Sequence, residues 1–267
     1  MGIIMKKWLI ALILAISTTT SFAAETAMDV KEDDGITIYF ARHGKTLLNT
    51  FDRVQGWVDS PLTEDGIRVA RYLGEGLKWI PFDNFYSSDA GRQRETMSVI
   101  LKQAGIENYK LNELSGLREA FFGGFEGGYN KDMADAGAKQ LGLKDGAALF
   151  AQMKAGTITA EKNQNALAAA DPKKMTENYQ QVKERTQAAL QTIVKNAQER
   201  GDKNILAISS GIAMQIMISD LTNDIAKNKP LSNAAIVKII YKDGQYTVTE
   251  IGTLKYVELG KQSLDKK

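Results

Sequence analysis

The sequence predicts an α/β fold, a three-layer sandwich in which a mostly parallel, doubly wound sheet carries helices on both faces. Two apolar stretches rich in β-branched residues, residues 36–41 and 205–208, have the composition of strands buried on both faces. Each runs into a short polar loop and then a helical pattern. A chain of 267 residues suits one such core with an insertion. Because ligands of doubly wound sheets bind beyond the carboxyl ends of the strands, the two polar loops are the first candidates for a site.

The first 23 residues are predicted to be a cleavable signal peptide. Lys6 and Lys7 precede a short apolar run, residues 8–16, and the small-x-small sequence Ser21-Phe22-Ala23 follows it. The alternative is an uncleaved membrane anchor, but the run is about half of the ~20 residues that a spanning helix needs. We therefore expect an exported protein, periplasmic or secreted, without stable membrane insertion after cleavage.

Three helices are predicted from their start signals and periodicity. Thr63 is the predicted N-cap of a helix that reaches about residue 77, with acidic residues in its first turn. Asp89 is the predicted N-cap of a second helix. Thr176 is the predicted N-cap of a third, in which apolar residues recur at helical spacing until Gly201 ends it.

The remaining segments complete a single predicted domain over residues 24–267. Residues 236–241 and 246–251 are typical of a closing hairpin with its turn at Asp243-Gly244. Between about residues 128 and 174 the chain is rich in alanine, glycine and lysine and lacks the alternation of strands. We interpret this segment as a helical cap insertion over the edge of the sheet.

Composition excludes several classes of partner and site. The chain has no cysteine, so disulfides and thiolate metal sites are excluded. Cleavage at the predicted site removes two of 34 basic residues and no acidic ones, leaving 32 of each sign. A balanced charge gives no reason to expect nucleic acid or an anionic membrane as a partner. The oligomeric state is not indicated.

His43 is the only histidine in the chain, and it lies between Arg42 and Gly44 at the end of the first predicted strand. A neutral imidazole is a competent nucleophile toward phosphorus, and a neighbouring guanidinium can bind two phosphate oxygens. Gly44 is expected to clear space where a substrate approaches. The alternative for an isolated Arg-His-Gly is a hydrogen-bonded structural histidine at a strand end.

A longer series of motifs favours the nucleophile. With them, the sequence resembles the histidine phosphatase superfamily, which is phosphoglycerate-mutase-like, across nearly the whole chain that follows the predicted signal peptide. The motifs are Ala-Arg-His-Gly-Lys-Thr at residues 41–46, Asn49, Gln55-Gly56-Trp57, Asp59, Pro61-Leu62-Thr63, Gly66, Tyr86-Ser87-Ser88-Asp89, Arg92, Thr96, Leu117-Arg118-Glu119, Gly123 and Glu126-Gly127.

The resemblance implies a role for each matching residue. His43 would be the residue phosphorylated during turnover, and Arg42 and Arg92 would hold the transferring phosphoryl group. Glu119 would protonate the leaving alkoxide and then accept a proton from the attacking water. Glu126, like Glu113, is interpreted as an ordinary solvated carboxylate.

Neutral donors and one departure complete the predicted site. Asn49 and the backbone around Gln55 and Gly56 would donate hydrogen bonds to the phosphate. The family places a second histidine in a Ser-His-Gly sequence after the late strand, and here that stretch is Ser209-Ser210-Gly211. Ser210 would therefore replace the second active-site histidine, and losing such a donor costs on the order of 10²–10³ in rate.

These observations predict an exported phosphatase that hydrolyses a phosphomonoester through a phosphohistidine on His43, without metal or organic cofactor. The expected partner is a small phosphorylated substrate or ligand. The alternative is a non-catalytic protein of the same fold that binds a phosphorylated ligand. A mutase is less expected, because an exported enzyme would not meet phosphorylated glycolytic intermediates. No feature of the insertion identifies the substrate.

Overall fold

A six-stranded sheet forms the centre of the protein. The structure is a computed structural model and describes residues 35–266. The predicted signal peptide, residues 1–23, lies outside the described residues. The strands, in spatial order β3-β2-β4-β1-β5-β6, are β1 (Ile36–Arg42), β2 (Asn84–Ser87), β3 (Leu111–Glu113), β4 (Asn204–Ser209), β5 (Ile236–Lys242) and β6 (Gln245–Thr253).

Strands β1 to β4 are parallel, and the hairpin β5–β6 extends the sheet in the antiparallel sense. In the register of β1 and β4, Phe40 pairs with Ala207 and Arg42 with Ser209, so both strands end at the same edge. The hairpin turns at Asp243 and Gly244, whose φ values of 50° and 80° are those of a type I′ turn. The predicted α/β fold with a mostly parallel sheet is confirmed.

Helices cover both faces of this sheet, and a group of three lies beyond its carboxyl edge. In chain order they are α1 (Leu47–Thr50), α2 (Glu64–Leu77), α3 (Gly91–Ala104), α4 (Asn130–Gln140), α5 (Gly146–Ala155), α6 (Ala160–Ala170), α7 (Tyr179–Arg200), α8 (Gly211–Met217) and α9 (Lys255–Leu264). Among the residues described, no helix is long and apolar enough to cross a bilayer.

Alternate residues of β1 enter two separate cores. Ile38 and Phe40, fully buried, pack with apolar residues of α7 and α8 on one face. Tyr39 and Ala41 pack with residues of α2, α3 and α9 on the other. The period of two in a strand explains this division, and burial on both faces explains the continuous apolar sequence of β1.

Of the three predicted helix starts, one is confirmed and two are wrong. Thr63 is the N-cap of α2, and its hydroxyl accepts the backbone N–H of Gly66 at 3.1 Å. Asp89 does not cap α3, whose N-cap is Ala90 without a side-chain hydrogen bond. The Asp89 carboxylate instead accepts two N–H groups of Arg118. A bidentate, charge-assisted pair outweighs a single capping bond.

The third helix start is also displaced. Asn178, not Thr176, is the N-cap of α7, in a capping box with Gln181. The hydroxyl of Thr176 donates to the carboxylate of Asp171 at 3.0 Å, which removes it from capping. The predicted end is confirmed, because Gly201 follows α7 in the left-handed conformation with φ 76°.

The segment interpreted as a helical cap insertion contains α4, α5 and α6, and we refer to these three helices as the cap. Apolar residues of α4 and α5 form a small core of their own, whereas Leu167 of α6 packs with Phe122 and Val182. Asp171, directly after α6, accepts backbone N–H groups of Gly124, Lys173, Met175 and Thr176. Burial raises the pKa of this carboxyl, but the four donors outweigh burial and lower the pKa to about 2. This carboxylate ties the end of the cap to the loop that follows Glu119.

Candidate active site

A cavity of about 230 Å³ lies between the carboxyl edge of the sheet and the cap. Five of the predicted site residues line it, Arg42, His43, Asn49, Gln55 and Glu119. The other three, Gly56, Arg92 and Ser210, do not line the cavity. Arg92 and Ser210 are buried, with 1% and 0% of their surfaces exposed.

His43 follows β1 and is buried, with 3% of its surface exposed. Its Nδ1 lies 2.8 Å from the Gly44 carbonyl. Since a carbonyl can only accept, Nδ1 carries the proton and the lone pair of Nε2 is free. Burial lowers the pKa of His43 well below 6.5, the charges of Arg92 and Arg42 lower it further, and the Gly44 carbonyl opposes them. The imidazole is therefore neutral at neutral pH.

The structure explains the glycine at position 44 differently from the sequence-based prediction. A Cβ at this position would lie 2.9 Å from the carbonyl oxygen of Gly66 in α2. The N–H of Gly44 donates to Oγ1 of Thr96 in α3 at 3.0 Å. The glycine thus lets the loop after β1 approach α2, and it does not line the cavity.

Arg42 presents an unused donor. One guanidinium nitrogen, Nη1, donates to the carbonyl of Leu231. The Nε atom is buried and has no hydrogen-bond partner among the described residues. Gly211 lies beside it, since a Cβ there would be 3.5 Å from Nε. A buried, unpaired N–H at a cavity wall is suited to an oxyanion.

The carboxylate of Glu119 lies at the start of α8. Its Oε1 accepts the N–H groups of Ala120 and Ala213 at 2.9 and 2.8 Å, and Oε2 accepts that of Ile212 at 3.2 Å. The main chain is fixed as well, because Nη2 of Arg185 donates to the Glu119 carbonyl at 2.8 Å. Oε1 accepts two hydrogen bonds and Oε2 accepts only one. Because a carboxylate oxygen has two lone pairs, Oε2 remains available to a ligand.

Two amide side chains face the cavity with their donor ends. Oδ1 of Asn49 accepts the backbone N–H of Thr46 at 3.3 Å, within the capping box of α1. Oε1 of Gln55 accepts the Thr46 hydroxyl. Thr46 thus occupies both carbonyl oxygens. One N–H of Gln55 donates to Oγ of Ser60 at 3.3 Å, so its second N–H and the NH₂ group of Asn49 are the donors that can meet a phosphate.

Gly56 is held by a residue whose role was misjudged from the sequence. Its N–H donates to Oε2 of Glu126 at 3.1 Å, so it does not face the cavity as predicted. The same carboxylate accepts the N–H groups of Trp57 and Val58 at 2.9 and 3.1 Å. The interpretation of Glu126 as an ordinary solvated carboxylate is therefore wrong. The sequence did contain a signal for a structural role, because Glu126 belongs to one of the matching motifs although no function was assigned to it.

Arg92 is bound to this same loop. Nη2 donates to the Gly56 carbonyl at 2.7 Å, and Nη1 donates to the Val58 carbonyl at 3.1 Å and to Asp59 at 2.9 Å. Nε is buried and has no partner among the described residues. The charge of Arg92 lowers the pKa of His43. Arg92 therefore acts on the site electrostatically from behind the cavity wall and also anchors the loop.

Ser210 is the N-cap residue of α8, but its hydroxyl does not cap the helix. Oγ instead accepts Nε2 of Gln93 at 2.8 Å. Gln93 also accepts the N–H of Ser88 at 2.9 Å and donates to the carbonyl of Leu117 at 3.4 Å. Ser210 is thus part of a buried polar contact between the ends of β2 and β4 and helix α3. The residues of α8 that line the cavity are Gly211, Ile212 and Gln215.

The described residues contain no group of three or more histidine, aspartate or glutamate side chains that could hold a metal ion.

Comparison with known proteins gives matches in sequence and in structure. Probable phosphoglycerate mutase GpmB of Yersinia pestis is 41% identical over 69 residues, which are 26% of this chain and 32% of that protein. The match thus spans about a third of the curated relative. The crystal structure of phosphoglycerate mutase from Bacillus anthracis is 38% identical, with a TM-score of 0.79, and covers 85% of this chain and 97% of its own.

A more distant structure shares the fold. Phosphoserine phosphatase from Entamoeba histolytica, in complex with 3-phosphoglyceric acid, is 20% identical with a TM-score of 0.59 and covers 83% of this chain and 99% of its own. The profile of the histidine phosphatase superfamily (branch 1) matches residues 38–253, which is most of the chain. Members of this superfamily are phosphatases or mutases. The chain belongs to the histidine phosphatase superfamily, branch 1.

Proposed function

We propose that the protein hydrolyses a small phosphomonoester through a phosphohistidine formed on Nε2 of His43. The observation that supports this most is the state of that imidazole. It is buried and neutral, its Nδ1–H is held by Gly44, and it shares one cavity with Arg42 and Glu119. A structural histidine would require neither a free ring nitrogen nor an unpaired guanidinium N–H beside it.

The first step transfers the phosphoryl group to the protein. The Nε2 lone pair of His43 forms the N–P bond while the P–O bond to the leaving alcohol breaks. A protonated Glu119 carboxyl gives its proton to the departing oxygen, so the alcohol leaves neutral. The products of this step are the phosphohistidine, the free alcohol and the Glu119 carboxylate.

The second step returns the protein to its starting state. The Glu119 carboxylate accepts a proton from a water molecule as the water oxygen forms a P–O bond and the N–P bond breaks. Inorganic phosphate leaves, His43 is neutral again and Glu119 is again protonated. The same carboxyl group thus acts first as general acid and then as general base.

The transferring phosphoryl group is stabilised by donors that are in place before the substrate binds. Nε of Arg42 and the NH₂ groups of Asn49 and Gln55 supply hydrogen bonds, and Arg92 supplies positive charge from behind the wall. Phosphoryl transfer depends mainly on such positioning and electrostatic stabilisation, because the charge is spread over the equatorial oxygens.

We further propose that Ser210 replaces the second histidine of the family and that turnover is slow for this reason. Its hydroxyl is occupied by Gln93 and does not reach the cavity. This arrangement also favours the alternative function, a non-catalytic protein that binds a phosphorylated ligand. Hydrolysis is preferred because binding alone requires neither a free imidazole nitrogen nor a carboxyl group beside it.

A mutase activity is named for the B. anthracis and Y. pestis proteins. Hydrolysis rather than phosphoryl exchange is proposed here because the predicted signal peptide would send the protein to a compartment outside the cytoplasm, where phosphorylated glycolytic intermediates are not supplied. Export itself is tested by intact-mass analysis of protein from the envelope fraction. A chain that begins near Ala24 is expected, and a chain that retains residues 1–23 would contradict it.

The catalytic proposal is tested with the purified protein and a panel of alkyl and aryl phosphates. His43→Ala is expected to abolish hydrolysis. Glu119→Gln is expected to slow alkyl phosphates more than activated aryl phosphates, because an aryloxide leaves without full protonation. Glu113→Gln, at an exposed carboxylate paired with Arg94, is the control. Turnover that is indifferent to His43→Ala would contradict the mechanism. If no compound is hydrolysed but the protein binds phosphorylated compounds, the alternative function as a non-catalytic binding protein would be favoured.

A further inference from the structure

A buried, unsatisfied acceptor lies in the cap wall of the cavity. Asn163 of α6 lines the cavity, with 5% of its surface exposed. Its Oδ1 is buried and has no hydrogen-bond partner among the described residues. Buried amide oxygens are almost always paired, because an unpaired one keeps the full cost of its desolvation. Because the Asn163 side chain lines the cavity, a turn of its amide about χ2 would bring this oxygen to the cavity surface, where a hydrogen-bond donor on a bound molecule would satisfy it.

Apart from Asn130 of α4, the cap residues that line the cavity around Asn163 are apolar. Met133 of α4, Phe150 and Met153 of α5 and Leu167 of α6 line the same side of the cavity. Such a lining favours an uncharged body that carries few polar groups. A polyanionic body would lose its hydration against these side chains without gaining partners.

One cation lines the cavity in addition to Arg42. The guanidinium of Arg53 lies 3.8 Å from the ring centroid of Tyr129, and its Nη1 donates to the Gly127 carbonyl at 3.1 Å. These two contacts engage its charge with the protein. Arg53 is nevertheless the group that would favour an anionic substituent, so the experiment must include a carboxylated substrate.

The size of the cavity restricts the ligand further. Its volume is about 230 Å³. An apolar cavity of roughly 150 Å³ accommodates benzene. The space therefore fits a phosphoryl group with a body of about one ring, and a nucleotide or a disaccharide would have to extend out of it.

From these observations we propose that the substrate is the phosphate monoester of a small, uncharged, mainly apolar alcohol that carries one hydrogen-bond donor, a hydroxyl or N–H, received by Oδ1 of Asn163. This inference rests on the proposed phosphatase function and extends it to the leaving alcohol. The two ends of the ligand differ in polarity. The phosphate accepts from Arg42, and the alcohol donates to Asn163.

The test compares matched aryl phosphates. The ortho, meta and para isomers of (hydroxymethyl)phenyl phosphate place a donor at three positions, and the corresponding ethylphenyl phosphates have nearly the same shape without it. At least one hydroxymethyl isomer is expected to exceed its ethyl counterpart by about tenfold in kcat/KM, the size of one well-placed hydrogen bond. Para-carboxyphenyl phosphate is expected to be the poorest of the para-substituted substrates.

Two variants of α6 show whether the preference depends on Asn163. Asn163→Leu keeps the shape of the side chain and removes the acceptor, so the ratio of the two kcat/KM values is expected to fall to about one. Asn165→Leu makes the same change at an exposed position of the same helix and is expected to keep the wild-type ratio. Loss of fold would reduce both rates together and leave the ratio unchanged.

The outcomes separate this inference from the proposed function. If ethylphenyl phosphates are hydrolysed and His43→Ala abolishes this, but no hydroxymethyl isomer is preferred, the phosphatase stands and the role of Asn163 is overturned. A preference that survives Asn163→Leu, or a carboxylated substrate that is preferred, also overturns it. If no phosphate is hydrolysed, the phosphatase fails. Calorimetric binding of the matched benzylphosphonates to the wild type and to Asn163→Leu then gives the same comparison and decides the recognition.

Discussion

The Glu126 carboxylate accepts the N–H of Gly56 at 3.1 Å, and the carbonyl of Gly56 accepts Nη2 of Arg92 at 2.7 Å. The two peptide groups that flank Gly56 thus connect the Glu126 carboxylate to the Arg92 guanidinium, which lies behind the cavity wall. A Cβ at Gly56 would lie 2.2 Å from Oε1 of Glu126, so no other residue fits. Glu126 is a positioning residue for the loop that binds Arg92.

Glu126→Gln is expected to lower kcat/KM by about tenfold and to destabilise the fold by roughly 1–3 kcal/mol, because an amide cannot accept all of the N–H groups that the carboxylate accepts. Phosphatase kinetics and denaturant unfolding measure the two effects. Glu107→Gln, at an exposed position, is the control. Unchanged kinetics in a folded Glu126→Gln protein would contradict the positioning role.

The charge state of His43 can be observed directly, since it is the only histidine in the chain. Burial and the two arginines lower its pKa well below 6.5, so the imidazole is expected to stay neutral as the pH falls through 6.5. The single histidine Cε1–H resonance should not shift in that interval in the native protein. The same resonance in urea should titrate near the ordinary value. A native titration at or above pH 6.5 would contradict the proposed state of the nucleophile.

Asp171 makes the stability of the protein depend on acid pH. Its folded pKa of about 2 lies below the ordinary 3.8, so its contribution is complete above about pH 4 and is lost as the pH falls toward 2. A shift of this size corresponds to about 2 kcal/mol. Asp171→Asn should therefore lower the free energy of unfolding at pH 7, with a difference from the wild type that shrinks below pH 4. Asp132→Asn, an exposed cap residue, is the control, and a difference independent of pH would refute this assignment.

The buried contact between Ser210 and Gln93 gives a test of the proposed slow turnover. A histidine at position 210 needs the space beside Gln93. Ser210→His combined with Gln93→Ala is therefore expected to exceed Gln93→Ala alone by at least about tenfold in kcat, because on the proposed mechanism it would add a strong donor to the transferring phosphoryl group. Circular dichroism checks the fold of both variants. A folded double variant without a gain would show that the missing donor does not limit the rate.

Local sequence signals were sufficient for the elements that position the site. The apolar runs of β1 and β4, Thr63 before α2 and Gly201 after α7 act through neighbouring residues, and the structure has them as predicted. The N-cap residue of α3 was predicted wrongly because Asp89 pairs with Arg118, 29 residues away. No local signal reports such a partner.

The sequence predicted the site residues that belong to motifs. It did not predict residues whose role depends on contacts formed only in the folded protein. The sequence identified His43, Arg42 and Glu119, which share the cavity. The role of Glu126 is recognised only from its hydrogen bond to Gly56, which lies 70 residues earlier in the chain. Asn163 lies in an alanine-rich helix without a motif, and only its unpaired oxygen in three dimensions indicates a role.

The phosphohistidine intermediate is the central claim, and trapping it is the most direct test. The protein is mixed with excess aryl phosphate, quenched in alkali within the first turnover, and measured by intact mass and peptide fragmentation. We expect the mass of one added phosphoryl group, located on His43, acid-labile and absent from His43→Ala. Released aryl alcohol without any phosphoryl group on His43, at every time within the first turnover, would contradict the account.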